Sequence, residues 1–191
     1  MSKFGYEKDG DGIVTITMDM AGPVNTMNAE FQKLLGDCVG RLEKETDIIG
    51  AIIASAKTDF IAGADLNGLL SLERKDVPIF MENLELLKSI LRRLELLPVP
   101  VVAAINGSAL GGGYELCLAC NRRIVHDSAK IKIGIPEVTL GWLTGGGGIV
   151  RLVNMLGIET ELTYLPEGRN VAPSCGCPGG AADESVCDSA G

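Results

Sequence analysis

Aromatic side chains are scarce: phenylalanine, tyrosine and tryptophan make up 4% of the 191 residues, with a single tryptophan. The core must therefore be assembled mainly from Leu, Ile, Val and Ala. Basic residues are also outnumbered, 17 against 25 acidic ones, for a formal net charge of −8. Nucleic-acid binding needs massed Lys and Arg to neutralise phosphates, so that class of partner is disfavoured. A small anion held by a local patch remains open. No apolar run reaches the length of a membrane span, and residues 1–11 lack the charged-then-apolar layout of a secretory leader. A cytoplasmic protein with no membrane partner is expected.

What is abundant is glycine, 25 residues, many of them in two clusters. Clustered glycine marks backbone that approaches something closely. The length suits one domain with a sizeable core, and 46% hydrophobic with 22% charged residues is ordinary for a soluble protein. Of the cysteines, Cys38, Cys117 and Cys120 stand in helical or core-like contexts, where a reduced thiol behaves as a small hydrophobe. Cys117 and Cys120 have CxxC spacing but no second ligand pair inside the domain, so a buried helix face is expected rather than a metal site.

Along the chain, residues 12–18 alternate and predict a strand, with Val14, Ile16 and Met18 on one face. Asn28 can cap a helix whose apolar stripe is Phe31, Leu34, Leu35, Cys38, Val39 and Leu42. Residues 48–54 form a continuous apolar run, the pattern of a strand buried on both faces. A long helix over about 77–97 stops at Pro98-Val99-Pro100, and Val101 to Ile105 is the next buried strand. Short strands are predicted at 123–125 and 130–133, then a helix through Ile149, Leu152, Val153 and Leu156 that Gly157 can end. Strands alternating with amphipathic helices indicate an α/β fold with a largely parallel sheet. Residues 1–170 are expected to form the core domain. Residues 171–191, rich in Gly, Pro, Ala and Cys and including Cys175, Cys177 and Cys187, read as a disordered, atypical tail. Its abrupt onset suggests a truncated or frame-shifted end.

Two loops stand out. The first, Asn106-Gly107-Ser108-Ala109-Leu110-Gly111-Gly112-Gly113, carries a buried strand straight into a helix, so free backbone N–H groups face whatever occupies the turn. It is neither GxGxxG nor a P-loop, and alone it reads as a tight turn. The second, Phe60-Ile61-Ala62-Gly63-Ala64-Asp65-Leu66, is again built of small residues after a strand, with Asp65 able to cap a helical turn. Two such turns at neighbouring strand ends can aim two N–H donors at one oxygen, which is what an oxyanion hole requires.

Two glutamates complete the pattern. Glu115 lies in the first turn of the helix behind the triple glycine, among Leu116, Cys117 and Leu118, and Glu137 follows Pro136. A carboxyl among apolar neighbours loses hydration, and its pKa rises toward the range useful for acid–base work. An acid at a helix N-terminus is also common for dipole reasons alone.

The ordered motifs Ile-Ala-Gly-Ala-Asp-Leu, Asn-Gly-Ser-Ala-Leu-Gly-Gly-Gly-Tyr-Glu-Leu and Ile-Pro-Glu-Val-Thr-Leu-Gly with its following glycine run resemble the signatures of the enoyl-CoA hydratase/isomerase (crotonase) family over roughly residues 1–170. The likeness is greatest to the hydratase part of bifunctional fatty-acid-oxidation enzymes. It implies a crotonase (ClpP/crotonase-like) spiral of repeated ββα units binding an acyl-CoA thioester, with no metal or redox cofactor, in a homo-oligomer (trimer or hexamer). It implies Glu115 and Glu137 as the catalytic pair, with the N–H groups of Ala64 and Gly112 as the oxyanion hole. Substrate contacts would come from Asn25, Thr26, Ala62, Gly63, Asp65, Leu66 and Gly111, with Lys57 near the CoA phosphates and Trp142 at the border of the acyl pocket.

The implied activity is syn addition of water to 2-trans-enoyl-CoA. The alternatives are an enoyl-CoA isomerase using Glu137 alone, or a truncated, catalytically weak acyl-CoA-binding fragment, because the chain carries the Cys/Gly/Pro tail where the family continues into helices. A serine peptidase with Ser108 and His126 ranks last, since Ser108 lacks the G-x-S-x-G frame. Asn121 stands where the family commonly has aspartate, and Ile149-Val150-Arg151-Leu152 where Thr-Gln-Arg-Leu is usual.

Overall fold

The computed structural model describes residues 2–63, 65–159, 168, 170–171 and 182–186. Strands β1 (Lys3–Lys8), β2 (Ile13–Asp19), β3 (Gly50–Ser55), β4 (Val101–Ile105), β6 (Arg122–His126) and β9 (Glu184–Val186) form a sheet in the order β1-β2-β3-β4-β6-β9. Only the β1–β2 pair is antiparallel; the others run parallel. A smaller sheet joins β5 (Ala109–Leu110), β7 (Ile133–Gly134) and β8 (Asn170–Val171). The helices are α1 (Ala29–Leu42), α2 (Leu66–Leu70), α3 (Val77–Glu95), α4 (Gly112–Leu118) and α5 (Gly148–Leu156).

The predicted periodicities place the core. Val14, Ile16 and Met18 are fully buried, as are Phe31, Leu35 and Val39 of α1 and Leu91 of α3. Asn28 caps α1, its Oδ1 accepting the Phe31 N–H at 2.9 Å. The run expected to be buried on both faces, residues 48–54, is covered fully on one side only: in β3 Ala51 and Ile53 are buried while Ile52 and Ala54 are half-buried. Strand β1 has no strong sequence signal. It is held by Phe4, edge-on to Phe31 with centroids 5.2 Å apart, and by Tyr6, whose ring lies 3.7 Å beneath the Arg41 guanidinium.

Helix α4, the carrier of Glu115, is buried from Gly113 to Leu118. The Cys117 thiol donates to the Gly113 carbonyl at 3.3 Å and Cys120 to Leu116 at 3.4 Å. Burial pushes the Cys120 thiol up to about 12, which makes it a packing group rather than a nucleophile or ligand. Asn121 ties the end of α4 to β4, its Oδ1 accepting the Val101 N–H at 2.7 Å and its own N–H reaching the Val101 carbonyl at 2.8 Å. The expected loop 106–113 contains β5, a two-residue strand too short to show a period.

Within the segment read as a tail, residues 184–186 pair with β6 as β9; residues 172–181 and 187–191 lie outside those described. Beside β9 is a charge clasp. Asp183 Oδ2 meets Arg123 Nη2 at 2.7 Å and accepts the Arg123 N–H at 2.7 Å. Arg123 is buried and its Nη1 also donates to the carbonyls of Cys117 and Cys120, at 3.4 and 3.1 Å. Removing one partner of such a pair leaves a buried charge uncompensated. Asp183→Ala is therefore expected to lose about 3 kcal/mol, read as a lowered urea midpoint.

Candidate active site

The two small-residue loops meet. The Leu110 N–H donates to the Ile61 carbonyl at 3.2 Å, Ile61 bridges Ala109 in parallel, and both the Phe60 and Ile61 N–H groups reach the Ser108 carbonyl at 3.1 Å. A third segment joins them: the Met27 N–H donates to the Gly63 carbonyl at 3.0 Å, and Ala62 to the Asn25 carbonyl at 3.0 Å. Together they wall a cavity of ≈ 510 Å³, whose lining is largely apolar and includes Leu69, Phe80, Leu84, Leu87 and Trp142.

Both glutamates open on this cavity. Glu115 is 3% exposed, and loss of hydration pushes its carboxyl from the ordinary 4.5 up to about 7. The negative charge of Glu137 adds to the rise, while backbone amides of the glycine run and Arg151 oppose it. One of those amides, the Gly148 N–H, lies 2.8 Å from Glu115 Oε1. The Glu137 carboxyl is likewise raised by burial, and its Oε2 is buried without a hydrogen-bond partner, a costly state that marks functional sites.

Backbone packs closely on both carboxyls. Gly111 adopts φ +55°, and a Cβ there would stand 2.7 Å from Glu137 Oε1. A Cβ on Gly146 would fall 2.6 Å from Glu115 Oε2. The cluster of residues 145–148 is thus the lid against which Glu115 packs.

Of the other expected contacts, Ala62, Gly63, Asp65, Gly111, Gly112 and Trp142 line the cavity. Asp65 also caps α2, its Oδ1 accepting the Gly68 N–H at 3.2 Å. Ala64 lies outside the described residues, and only the backbone of Leu66 is described. Asn25 and Lys57 are placed differently. The Asn25 side chain is fully buried and spends its polar atoms on the scaffold, accepting from Met20 N–H and donating to Ser55 Oγ and the Phe60 carbonyl. It fixes the loop instead of facing the cavity. Lys57 is paired with Asp19 at 2.7 Å and is absent from the lining, as is Thr26. The Ser108 Oγ accepts the Lys132 N–H at 3.2 Å, a scaffold role. Among the described residues no group of three His, Cys, Asp or Glu side chains could hold a metal, and no helix is long and apolar enough to cross a membrane.

Two residues of the site escape a reading of periodicity. Gln32 falls between the apolar positions of α1, yet it is buried in the cavity wall with Oε1 unpartnered. Arg151 is absent from the cavity lining but reaches the site through its charge on Glu115 and its bond to the Gly146 carbonyl.

Residues 8–172 match the family described as enoyl-CoA hydratase/isomerase. The chain belongs to the enoyl-CoA hydratase/isomerase family. It is 38% identical over 189 residues to the fatty acid oxidation complex subunit alpha of Shewanella halifaxensis, a match covering 97% of this chain and 26% of that protein. The chain thus spans about a quarter of the length of that relative. Among solved structures, an enoyl-CoA hydratase from Bacillus anthracis superposes with a TM-score of 0.87 at 27% identity, covering 97% of this chain and 70% of its own. One from Bacillus halodurans gives 0.88 at 27%, covering 98% and 74%. The fold is the crotonase fold expected from the motifs.

Proposed function

We propose that the chain is an enoyl-CoA hydratase that adds water in syn fashion across the double bond of a 2-trans-enoyl-CoA thioester in fatty-acid β-oxidation. The observation that carries this reading is a pair of burial-raised carboxyls, Glu115 and Glu137, in the wall of one largely apolar cavity. Burial raises both carboxyls, and the charge of Glu137 adds to the rise at Glu115. Such a pair can grip a water from one side and relay its proton from the other.

In the proposed step the thioester oxygen is held by the N–H groups of Ala64 and Gly112. Gly112 opens α4, so its N–H has no partner within that helix. Ionised Glu115 accepts a hydrogen bond from the water and orients it. The water oxygen bonds the β-carbon, its O–H breaks, and the proton reaches the α-carbon by way of Glu137 on the same face. Negative charge gathering on the thioester oxygen is met by the two amides, each contributing roughly 3–4 kcal/mol in comparable sites. A homo-oligomer, trimer or hexamer, is proposed with it, consistent with apolar residues left exposed at Val150 (64%) and Ile158 (61%).

The test is hydration of crotonyl-CoA followed by loss of the enoyl thioester absorbance. Because Glu115 must be ionised to accept from the water, and its carboxyl sits at about 7, turnover is expected to rise with pH along an acid limb centred near 7. A flat profile between pH 5 and 8 would contradict that role. Activity on a 3-enoyl-CoA that survives Glu115→Ala would instead identify an isomerase using Glu137 alone.

A further inference from the structure

The glycine run that packs on Glu115 does not hold itself in place. It contains residues without side chains, and Gly147 at φ +96° is in a conformation with little intrinsic preference to stay. What grips it is Arg151, one turn into α5. Arg151 Nη1 donates to the Gly146 carbonyl at 3.1 Å, inside the same turn whose Gly148 N–H reaches Glu115 Oε1 at 2.8 Å. The other arms of the guanidinium face Glu95, with Nε 3.3 Å from Oε1 and Nη2 3.4 Å from Oε2. Glu95 is the last residue of α3 and is held in turn by Arg92 Nη1 at 2.6 Å. Little of the Arg151 side chain reaches solvent, 13%, while Glu95 is 32% exposed.

We propose that Arg151, braced by Glu95, is a positioning residue that fixes the turn at residues 146–148 against Glu115 and thereby sets the aim of that carboxylate at the water. Arginine suits this role through its planar fork. One edge takes the carboxylate while the remaining donor takes a carbonyl, which a lysine cannot reproduce. Glu115 is acted on by Glu137 from the turn after β7 and by Arg151 from α5; Asp65 lines the same cavity, and Glu95 approaches through Arg151. Arg151 contributes a favourable charge as well as a geometry, and the two can be separated.

The experiment compares wild type, Arg151→Met and Arg151→Lys in two assays. The first is an infrared titration of the protonated-carboxyl band, with Glu115 assigned by its loss in Glu115→Gln. The second is crotonyl-CoA hydration resolved into kcat and KM. Arg151→Met is expected to move the Glu115 midpoint to higher pH and to lower kcat roughly tenfold to a hundredfold with KM little changed. Arg151→Lys is expected to restore the midpoint while leaving kcat depressed. An unmoved midpoint in Arg151→Met, or a kcat in Arg151→Lys equal to wild type, overturns the proposal. If Arg151→Met does not fold, the kcat of Arg151→Lys decides alone. The kinetic assay rests on the hydratase reading, whereas the titration does not. Wild type that fails to hydrate crotonyl-CoA therefore defeats the function and leaves the positioning claim to the infrared result.

Discussion

Glu115→Gln is expected to abolish hydration while making the protein more stable above neutral pH. The loss of activity follows from the water having no anionic acceptor, and general acid–base groups of this kind are typically worth roughly 10²–10⁴ in rate. Glu137→Gln should fall by a similar factor, because the proton path to the α-carbon is cut. The gain in stability follows from linkage. In the unfolded chain Glu115 titrates at the ordinary 4.5, and in the folded protein at about 7. The folded state therefore holds that proton more tightly, so this group's contribution is intact below pH 4.5 and is lost as pH rises through 7. A shift of that size corresponds to about 3 kcal/mol forfeited at pH 8. Glutamine, never ionised, avoids it and can still accept the Gly148 N–H. Urea unfolding of the two proteins at pH 5 and pH 8 checks the sign: the curves should nearly coincide at the lower pH and separate at the higher, with Glu115→Gln the more stable. Equal stability at pH 8 would mean that the carboxyl is not raised in the folded state.

A second large effect is expected at a position remote from any chemistry. Gly107→Ala would put a Cβ 2.0 Å from the Thr58 carbonyl oxygen and 2.6 Å from the Asp59 Cα, both backbone atoms that cannot swing aside. The two loops cross there, tied by Asn106 Nδ2 to the Lys57 carbonyl at 2.7 Å and by the Ser108 N–H to Asp59 Oδ1 at 3.1 Å. Forcing them apart costs at least the roughly 1–3 kcal/mol of ordinary overpacking, or a fall in Tm of about 2–12 °C for a chain of this size. It also pulls Ala62 and Gly63 away from Gly111 and Gly112, so hydration should fall further than stability alone predicts. Gly10→Ala, with nothing within 4 Å of the added carbon, is the control and should match wild type in both measurements.

How much of the fold and the site is legible in the sequence depends on whether the signal is local. The stripes of α1 and α3 and the alternation of β2 repeat several times within one element, so the period shows and the buried faces follow. The loops and both glutamates are legible by motif order, and residues of both loops line one cavity with Glu115 and Glu137. Asn25 lies in the segment expected to touch substrate. Sequence does not reveal that its amide is wholly consumed by Met20, Ser55 and Phe60, residues up to 35 positions away. Lys57 is diverted in the same way by Asp19, a partner on the neighbouring strand. Gln32 escapes notice because a polar residue inside an apolar stripe reads as a break in the pattern, whereas here the stripe faces a cavity. Strand β9 carries three residues, too few to show a period, and the Asp183 beside it is paired with Arg123, 60 positions earlier.

The clasp between Asp183 and Arg123 also imposes an order on events during synthesis. The helix that carries Glu115 has its last carbonyls gripped by Arg123, and Arg123 receives its counter-charge from a residue 60 positions later. On the ribosome the parallel core strands and both loops emerge long before that aspartate does, so α4 passes through a period in which its arginine lacks the counter-charge of Asp183. A nascent polypeptide halted before residue 183 would carry Glu115 and Glu137 while Arg123, beneath α4, still lacked the counter-charge of Asp183.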